Sequence, residues 1–337
     1  MRLFASLFAL AAVAGTAAMA EPAPYQSIDI EAAGPQGALK GTLAGPIAPD
    51  RPVVLIIPGS GPTDRDGNRQ FGLKAASYKL LAEALASRQI ASVRIDKRGM
   101  FASAAATENP NAVTVEDYAS DTLAWIAAIR QKTGASCVWL AGHSEGGAVA
   151  LAAAAKQPDD ICGLVLVSTT GRPLPEMLKE GIRASPANAP LLEEADKVID
   201  RLAAGERVDA SEMSEKVGLF FDARVQDHFI NTFRFDPAKL IHGVSKPMLI
   251  LQGERDIQVS VADAEALKQA KPDATLKLLP KVNHVLKEVE TDDRAANMAT
   301  YTDPNLPLAP GVAEAIAEFV SMKQGQAVAL NSEARSQ

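Results

Sequence analysis

Five residues near the middle of the chain, Gly142-His143-Ser144-Glu145-Gly146, constrain the fold more than any other segment. The apolar run before them, residues 137–141, predicts a short buried strand, and the small residues at 147–155 predict a closely packed helix. A serine on such a turn matches the G-x-S-x-G nucleophile elbow, in which a strained backbone projects the hydroxyl from the end of a sheet. Glycines on both sides remove side chains that would clash there. A plain strand–turn–helix corner is the alternative interpretation of so short a motif.

The composition is that of a globular protein and excludes several functional classes. The chain has 337 residues, of which 47% are apolar and 22% charged, enough for one large α/β domain with an insertion or for two small domains. A net charge of −7 argues against a nucleic-acid-binding surface. Two cysteines and four histidines without an H-E-x-x-H pattern lead us to expect no metal site.

The N-terminus has the pattern of a secretory signal peptide. A positive charge at Arg2 precedes an apolar run over residues 3–14, and small residues lead to a cleavage site after Ala20. The apolar run is shorter than the ~20 residues that a membrane-spanning helix needs. The sequence therefore predicts residues 1–20 as a cleaved signal, no stable membrane insertion afterwards, and a mature protein in the periplasm or outside the cell.

Strand and helix patterns alternate along most of the remaining chain. The pattern predicts an α/β fold with a mostly parallel central sheet, helices on both faces, and an antiparallel hairpin at one edge. The predicted strands are residues 25–30, 38–43, 52–57, 91–95, 137–141, 163–168, 248–251 and 275–279, and the predicted helices are residues 74–87, 115–130, 147–155, 261–270 and 311–322.

One segment interrupts this alternation. Residues 172–243 show helical patterns and carry a concentration of phenylalanines, so we interpret them as a helical cap inserted into a core formed by residues 21–171 and 244–322. Phe229 and Phe233 are predicted to contact the substrate. The alternative is that these rings only form the cap's own core. Residues 323–337 are predicted to be a polar tail with frayed structure.

A serine nucleophile needs a base and an acid that orients the base. Asp256 and His284 each follow the end of a predicted strand, in the order serine, acid, histidine. Because the carboxyl ends of parallel strands meet at one edge of the sheet, we expect the three side chains to lie together. Glu254 is the alternative acid, but we expect it to face the sheet. His143, His228 and His242 are interpreted as packing or structural residues.

The glycine-rich loop at residues 58–68 offers the oxyanion donors that this chemistry requires. Gly59 lets the chain turn, so that the N–H of Ser60 points at the substrate, and the N–H of Glu145 is the second donor. A dinucleotide-binding loop fits less well, because Asp64 replaces the third glycine of G-x-G-x-x-G and no helix follows directly.

Taken together, these motifs resemble the α/β-hydrolase superfamily over residues 25–322. The resemblance rests on residues 142–147, on Gly253-Glu254-Arg255-Asp256-Ile257-Gln258-Val259 and on Asn283-His284. The loop Pro58-Gly59-Ser60-Gly61-Pro62-Thr63-Asp64-Arg65-Asp66-Gly67-Asn68 is similar to the oxyanion loop of a bacterial esterase branch described as serine aminopeptidase S33-like. The chain departs from that pattern at Pro58, where a His is usual, and at Phe101, which replaces a glycine and affects the expected rim of the site.

The resemblance implies an exported carboxylic-ester hydrolase that forms an acyl-enzyme on Ser144, acts on a small-molecule ester and needs no cofactor. A thioesterase or an S33-like peptidase on the same fold is one alternative, and a non-catalytic binding protein is another. The natural substrate and the oligomeric state stay open. So does the state of Cys137 and Cys162, which would lie about 4.8 Å apart if their strands were neighbours in register, but which could also be buried free thiols.

Overall fold

The computed structural model describes residues 27–156 and 159–335. The predicted signal peptide and its cleavage site after Ala20 lie outside these residues. Within the described ranges, no helix is both long and apolar enough to cross a membrane.

Eight strands form one sheet in the order β1-β2-β4-β3-β5-β6-β7-β8. The first two form an antiparallel hairpin at one edge, β2 also pairs antiparallel with β4, and all other pairs are parallel. The strands are β1 Ser27–Ala32, β2 Leu39–Ala44, β3 Val53–Ile57, β4 Ala91–Ile95, β5 Val138–His143, β6 Ile161–Val167, β7 Met248–Gly253 and β8 Thr275–Leu279. The predicted α/β architecture with a mostly parallel sheet is confirmed.

Helices cover both faces of this sheet. The alternation of side chains along β3 shows why, since Leu55 packs into the core on one face and Val54 and Ile56 pack into the core on the other. The helices are α1 Ser77–Ser87, α2 Val115–Thr133, α3 Glu145–Ala154, α4 Leu174–Arg183, α5 Leu192–Ala203, α6 Glu215–Phe220, α7 Gln226–Phe233, α8 Pro237–His242, α9 Val261–Ala270, α10 Arg294–Ala299 and α11 Val312–Arg335.

The ends of two helices show where the sequence predicted a helix bound well and where it did not. Helix α2 begins after Thr114, whose hydroxyl accepts from the N–H of Asp117 while the Asp117 side chain accepts from the N–H of Thr114. Helix α11 was expected to end near Met322, but it continues to Arg335. Most of the predicted polar tail is therefore helical, and the stretch contains no proline that would end the helix.

Helices α4 to α7 form a cluster with its own apolar core, centred on Val198, Ile199, Leu202, Phe221 and Phe233. Helix α8 differs from them, because Ile241 packs in the main core beneath the sheet. The described residues of the predicted cap segment contain helices and no strand.

The two cysteines form a disulfide in this structure. Cys137 and Cys162 precede or begin the neighbouring strands β5 and β6, and their Cα atoms lie 5.1 Å apart. Their sulfurs are bonded, so the free-thiol alternative does not hold here.

Candidate active site

Ser144 occupies the strained turn between β5 and α3. Its backbone has φ 55° and ψ −123°, a conformation that residues other than glycine rarely adopt. The turn brings chain segments so close that a Cβ on Gly142 would lie 2.2 Å from the carbonyl oxygen of Gly146. A Cβ on Gly146 would lie 2.3 Å from the carbonyl oxygen of Ile57. Glycine is therefore required on both sides, and the serine is held at the carboxyl end of the sheet.

Asp256 and His284 meet beside this turn. The Nδ1 atom of His284 lies 2.8 Å from Oδ2 of Asp256, and both side chains are buried. The other carboxylate oxygen accepts the N–H groups of Gln258 and Val259 at 2.8 and 2.9 Å. Although burial alone raises the pKa of Asp256, the His284 imidazole and these N–H groups hold it below its usual value. The carboxylate accepts the proton on Nδ1 of His284, which leaves the lone pair on Nε2.

Ser144 lines three cavities among the described residues, and the smallest, of about 90 Å³, is also lined by Glu145. The two larger cavities at Ser144 differ in size and lining. The smaller, of about 230 Å³, is lined by Ser144 and His284 together. The larger, of about 480 Å³, lies under the cap and is mostly apolar. Its lining includes Leu174, Met177, Leu178, Ile182, Phe220, Phe221 and Phe229.

The structure separates the two phenylalanines predicted to contact the substrate. Phe229 lines the larger cavity. Phe233 lies in the cap core with its ring centroid 5.5 Å from that of Phe229, and it is not among the described residues that line either cavity. Phe233 therefore contributes to the core of the cap and not to the lining of these cavities.

The two peptide units that flank the Cα atom of Gly59 are each held by a side chain that the sequence did not single out. The N–H of Gly59 donates to the hydroxyl of Tyr78 at 3.0 Å, and Nζ of Lys97 donates to the carbonyl oxygen of Gly59 at 2.7 Å. The C=O and N–H of a trans peptide point in opposite directions. Lys97 on the carbonyl therefore directs the N–H of Ser60 away from the core, toward the cavities that Ser60 and Ser144 share.

His143 connects this loop to His284. The hydroxyl of Tyr78 lies 2.9 Å from Nδ1 of His143, and Nε2 of His143 lies 2.8 Å from the carbonyl oxygen of His284. Since the carbonyl can only accept, Nε2 carries the proton and Nδ1 accepts from Tyr78. Burial lowers the pKa of His143 to about 3, and burial raises the pKa of Tyr78 to about 12, so both stay neutral. His143 is thus a positioning residue beneath the site.

The side chain of Glu145 makes contacts of its own, in addition to the backbone N–H that was predicted as an oxyanion donor. Its buried carboxylate lies 3.6 Å from Nζ of Lys97 and 3.4 Å from Nε2 of His228 on helix α7. Burial alone would raise the pKa of Glu145, but Lys97 and His228 lower it to about 2. This carboxylate joins His228 of the cap to Lys97, which also holds the loop at residues 58–68, so His228 does more than pack within the cap.

Two further expectations are resolved by the structure. Glu254 is exposed rather than facing the sheet, whereas the Asp256 carboxylate is buried against His284. Phe101 adopts φ 46°, a left-handed conformation that explains why a glycine is usual at that position. Phe101 does not line either of the two larger cavities at Ser144, so it does not shape their walls.

Similar proteins identify the family to which this chain belongs. A family model described as Serine aminopeptidase, S33, matches residues 71–292. The chain belongs to this family. The S33 chain is 27% identical over 276 residues to "Esterase EstD" of Thermotoga maritima, a match that covers 79% of the chain and 61% of the relative. It is 26% identical over 188 residues to "Lipase 1" of Psychrobacter immobilis, covering 50% of the chain and 56% of the relative. The chain thus spans about three fifths of the length of these curated relatives.

Solved structures show the fold of this S33 protein. Est1E from Butyrivibrio proteoclasticus superposes with a TM-score of 0.53 at 18% identity, covering 88% of this chain and 98% of that one. A thermophilic esterase from Thermogutta terrifontis gives a TM-score of 0.53 at 21% identity, covering 89% and 99%. The predicted α/β-hydrolase fold is confirmed.

Proposed function

We propose that this protein hydrolyses carboxylic esters through Ser144, His284 and Asp256. The observation that carries the proposal is the 2.8 Å hydrogen bond between buried Asp256 and His284, because His284 lines a cavity that the strained Ser144 also lines. A base fixed by an acid beside a serine on an elbow is the arrangement that activates a hydroxyl for attack on a carbonyl.

In the proposed reaction, His284 removes the proton of Ser144 as its oxygen attacks the ester carbonyl. The N–H groups of Ser60 and Glu145 stabilise the oxyanion, and Asp256 stabilises the imidazolium that forms. His284 then protonates the leaving alcohol oxygen, which departs and leaves an acyl-enzyme. Water that gives a proton to His284 attacks the acyl-enzyme, releases the carboxylic acid and restores Ser144.

The lining of the cavities favours an ester over the alternatives. An aminopeptidase needs a carboxylate to bind the amino terminus of its substrate, and no Asp or Glu is among the described residues that line the two larger cavities at Ser144. Glu145 lines the third and smallest, but its carboxylate already faces Lys97 and His228. Relatives named as an esterase and a lipase support the same choice. A purely binding protein would not require the backbone strain at Ser144.

We also propose that the cap sets substrate size and that the protein acts outside the cytoplasm. The cap helices supply most of the apolar lining of the larger cavity. The disulfide between Cys137 and Cys162 supports an oxidising compartment, in agreement with the signal-peptide pattern before Ala20. The mature chain begins after that residue in this proposal.

The test uses the variant Ser144→Ala. We expect it to lose hydrolysis of short nitrophenyl esters and labelling by a fluorophosphonate probe, while its thermal unfolding stays close to that of the wild type. The control is Ser120→Ala, which removes an exposed hydroxyl on α2. Aminoacyl anilides and acyl thioesters are assayed alongside. Labelling that persists in Ser144→Ala rejects the nucleophile, and faster turnover of anilides than of esters rejects the substrate class.

A further inference from the structure

A positively charged side chain without an acidic partner lines the smaller cavity. Arg69 lines this cavity with Ser144 and His284. Its Nη2 donates to the carbonyl oxygen of Ser60 at 2.6 Å, and its Nε donates to Oγ1 of Thr63 at 3.0 Å. Both acceptors are neutral, so these bonds orient the guanidinium without compensating its charge.

Arg51, Arg234 and Arg294 of the described chain also lack a carboxylate at salt-bridge distance, but they do not line the cavities at Ser144. Other arginines are paired. Arg65, Arg98 and Arg172 pair with Asp96, Asp121 and Asp263 at 2.7, 2.6 and 3.0 Å. No described carboxylate lies at salt-bridge distance from Arg69, and no Asp or Glu lines its cavity. No described carboxylate therefore occupies this guanidinium, which is available to an anion that enters the cavity.

The position of His284 assigns this cavity to one half of the substrate. The base that accepts the serine proton later gives it to the leaving alcohol oxygen, so the alcohol part of an ester lies on the side of His284. Of the two larger cavities, the smaller is lined by His284 and the larger is not. The acyl part then occupies the apolar cavity of about 480 Å³ under the cap.

We propose that Arg69 binds an anionic group on the alcohol part of the substrate. The substrate class is then an apolar acyl ester of a short hydroxy acid, with the carboxylate close to the scissile bond. This inference rests on the proposed ester hydrolysis and adds a site to it. The acyl chain binds by apolar burial, and the compact alcohol part binds through its charge.

The experiment compares two esters that differ only in charge. The probes are 3-(octanoyloxy)propanoate and its neutral amide analogue, 3-(octanoyloxy)propanamide, and released octanoate is measured by chromatography. For the wild type we expect kcat/KM to be about tenfold higher for the carboxylate, the lower end for a hydrogen bond to a charged group because Arg69 is exposed. In Arg69→Gln we expect that ratio to fall to about one. The matched control, Arg224→Gln, removes an exposed arginine of the cap and should keep the wild-type ratio.

The outcomes separate this inference from the proposed function. If the folded wild type hydrolyses neither these esters nor nitrophenyl esters, the proposed function itself fails. If it hydrolyses both probes equally, or if Arg69→Gln slows both by the same factor, ester hydrolysis stands and the anion site is rejected. A preference for octyl hydrogen succinate over octyl succinamate, without one between the two probes, rejects the assignment to the alcohol part. A ratio that falls in concentrated salt supports the site.

Discussion

Replacing Lys97 by methionine tests whether one buried cation orients the oxyanion donor. Methionine fills a similar space but cannot donate to the carbonyl oxygen of Gly59, which accepts from Nζ at 2.7 Å. The peptide that carries the N–H of Ser60 would lose this bond, whereas the bond from the N–H of Gly59 to Tyr78 belongs to the preceding peptide and would remain. We expect a lower kcat and a nearly constant KM, because the donor acts on the oxyanion of the transition state rather than on the bound ester.

The magnitude follows from the hydrogen bond that is lost. A bond to a charged group contributes ~1.5–3 kcal/mol, and ~1.4 kcal/mol corresponds to a factor of ten in rate. The expected decrease in kcat is therefore about 10–100-fold. Complete loss of one oxyanion donor decreases the rate by roughly 10²–10³, which sets the upper limit.

Stability needs a separate control, because Lys97 also faces the buried carboxylate of Glu145 at 3.6 Å. Removing one partner of a buried ion pair costs ~3–5 kcal/mol. The double variant Lys97→Met/Glu145→Gln removes the uncompensated charge and retains the N–H of residue 145. We expect this variant to recover stability but not kcat, whereas Glu145→Gln alone retains the bond from Lys97 to Gly59.

The assay combines steady-state kinetics on a nitrophenyl ester with the inhibition constant of an alkyl boronic acid, which forms a tetrahedral adduct at the serine. Both kcat and boronate affinity should fall in Lys97→Met and in the double variant, as measured on protein shown to be folded by circular dichroism. A folded double variant with wild-type kcat and boronate affinity refutes the reasoning, and so does a change confined to KM.

Two further predictions concern the cap and the buried histidine. Gly181 of α4 lines the apolar cavity, and the position of its Cβ faces open space. The variant Gly181→Leu should therefore fill part of the cavity and move the preferred acyl chain to shorter lengths. It should not lose stability, because glycine within a helix costs ~0.5–1 kcal/mol relative to alanine. Gly218→Leu on α6 is the control, and identical chain-length profiles for both variants and the wild type contradict the role of the cap. Burial lowers the pKa of His143 from 6.5 to about 3, so the unfolded chain binds the additional proton between these values and stability falls as the pH decreases through that window. His143→Gln should reduce the loss of unfolding free energy between pH 7 and pH 4, by up to ~1.4 kcal/mol per pH unit, and equal losses in denaturant titrations contradict this account.

The fold was predictable because its signals are local. The central strand β3 is apolar at every position, as expected for a strand covered on both faces, and the small residues after Ser144 mark a helix packed closely on the sheet. The rule that parallel strands end at one edge placed Asp256 and His284 near Ser144. Their catalytic roles stay predictions for the Ser144→Ala experiment to begin testing.

The supporting residues were not predictable, because their partners are distant in sequence. Lys97 stands in a run of three charged residues, a pattern usually typical of a solvated surface, but its acceptors come from Gly59 and Glu145. Phe229 and Phe233 are four residues apart and share a helix face. Which of them reaches the cavity depends on how α7 packs, and the periodicity of a sequence does not contain that information.

The shared carboxylate of Glu145 has a consequence for protein engineering. Because His228 of the cap and Lys97 of the core both face it, the cap cannot be exchanged as an independent module. A grafted cap that places an apolar residue where His228 stands would leave the carboxylate dependent on Lys97 alone, and the charge balance next to the oxyanion loop would change with it. A chimera that is meant to alter only the acyl pocket must therefore retain a hydrogen-bond donor at that position of the new cap.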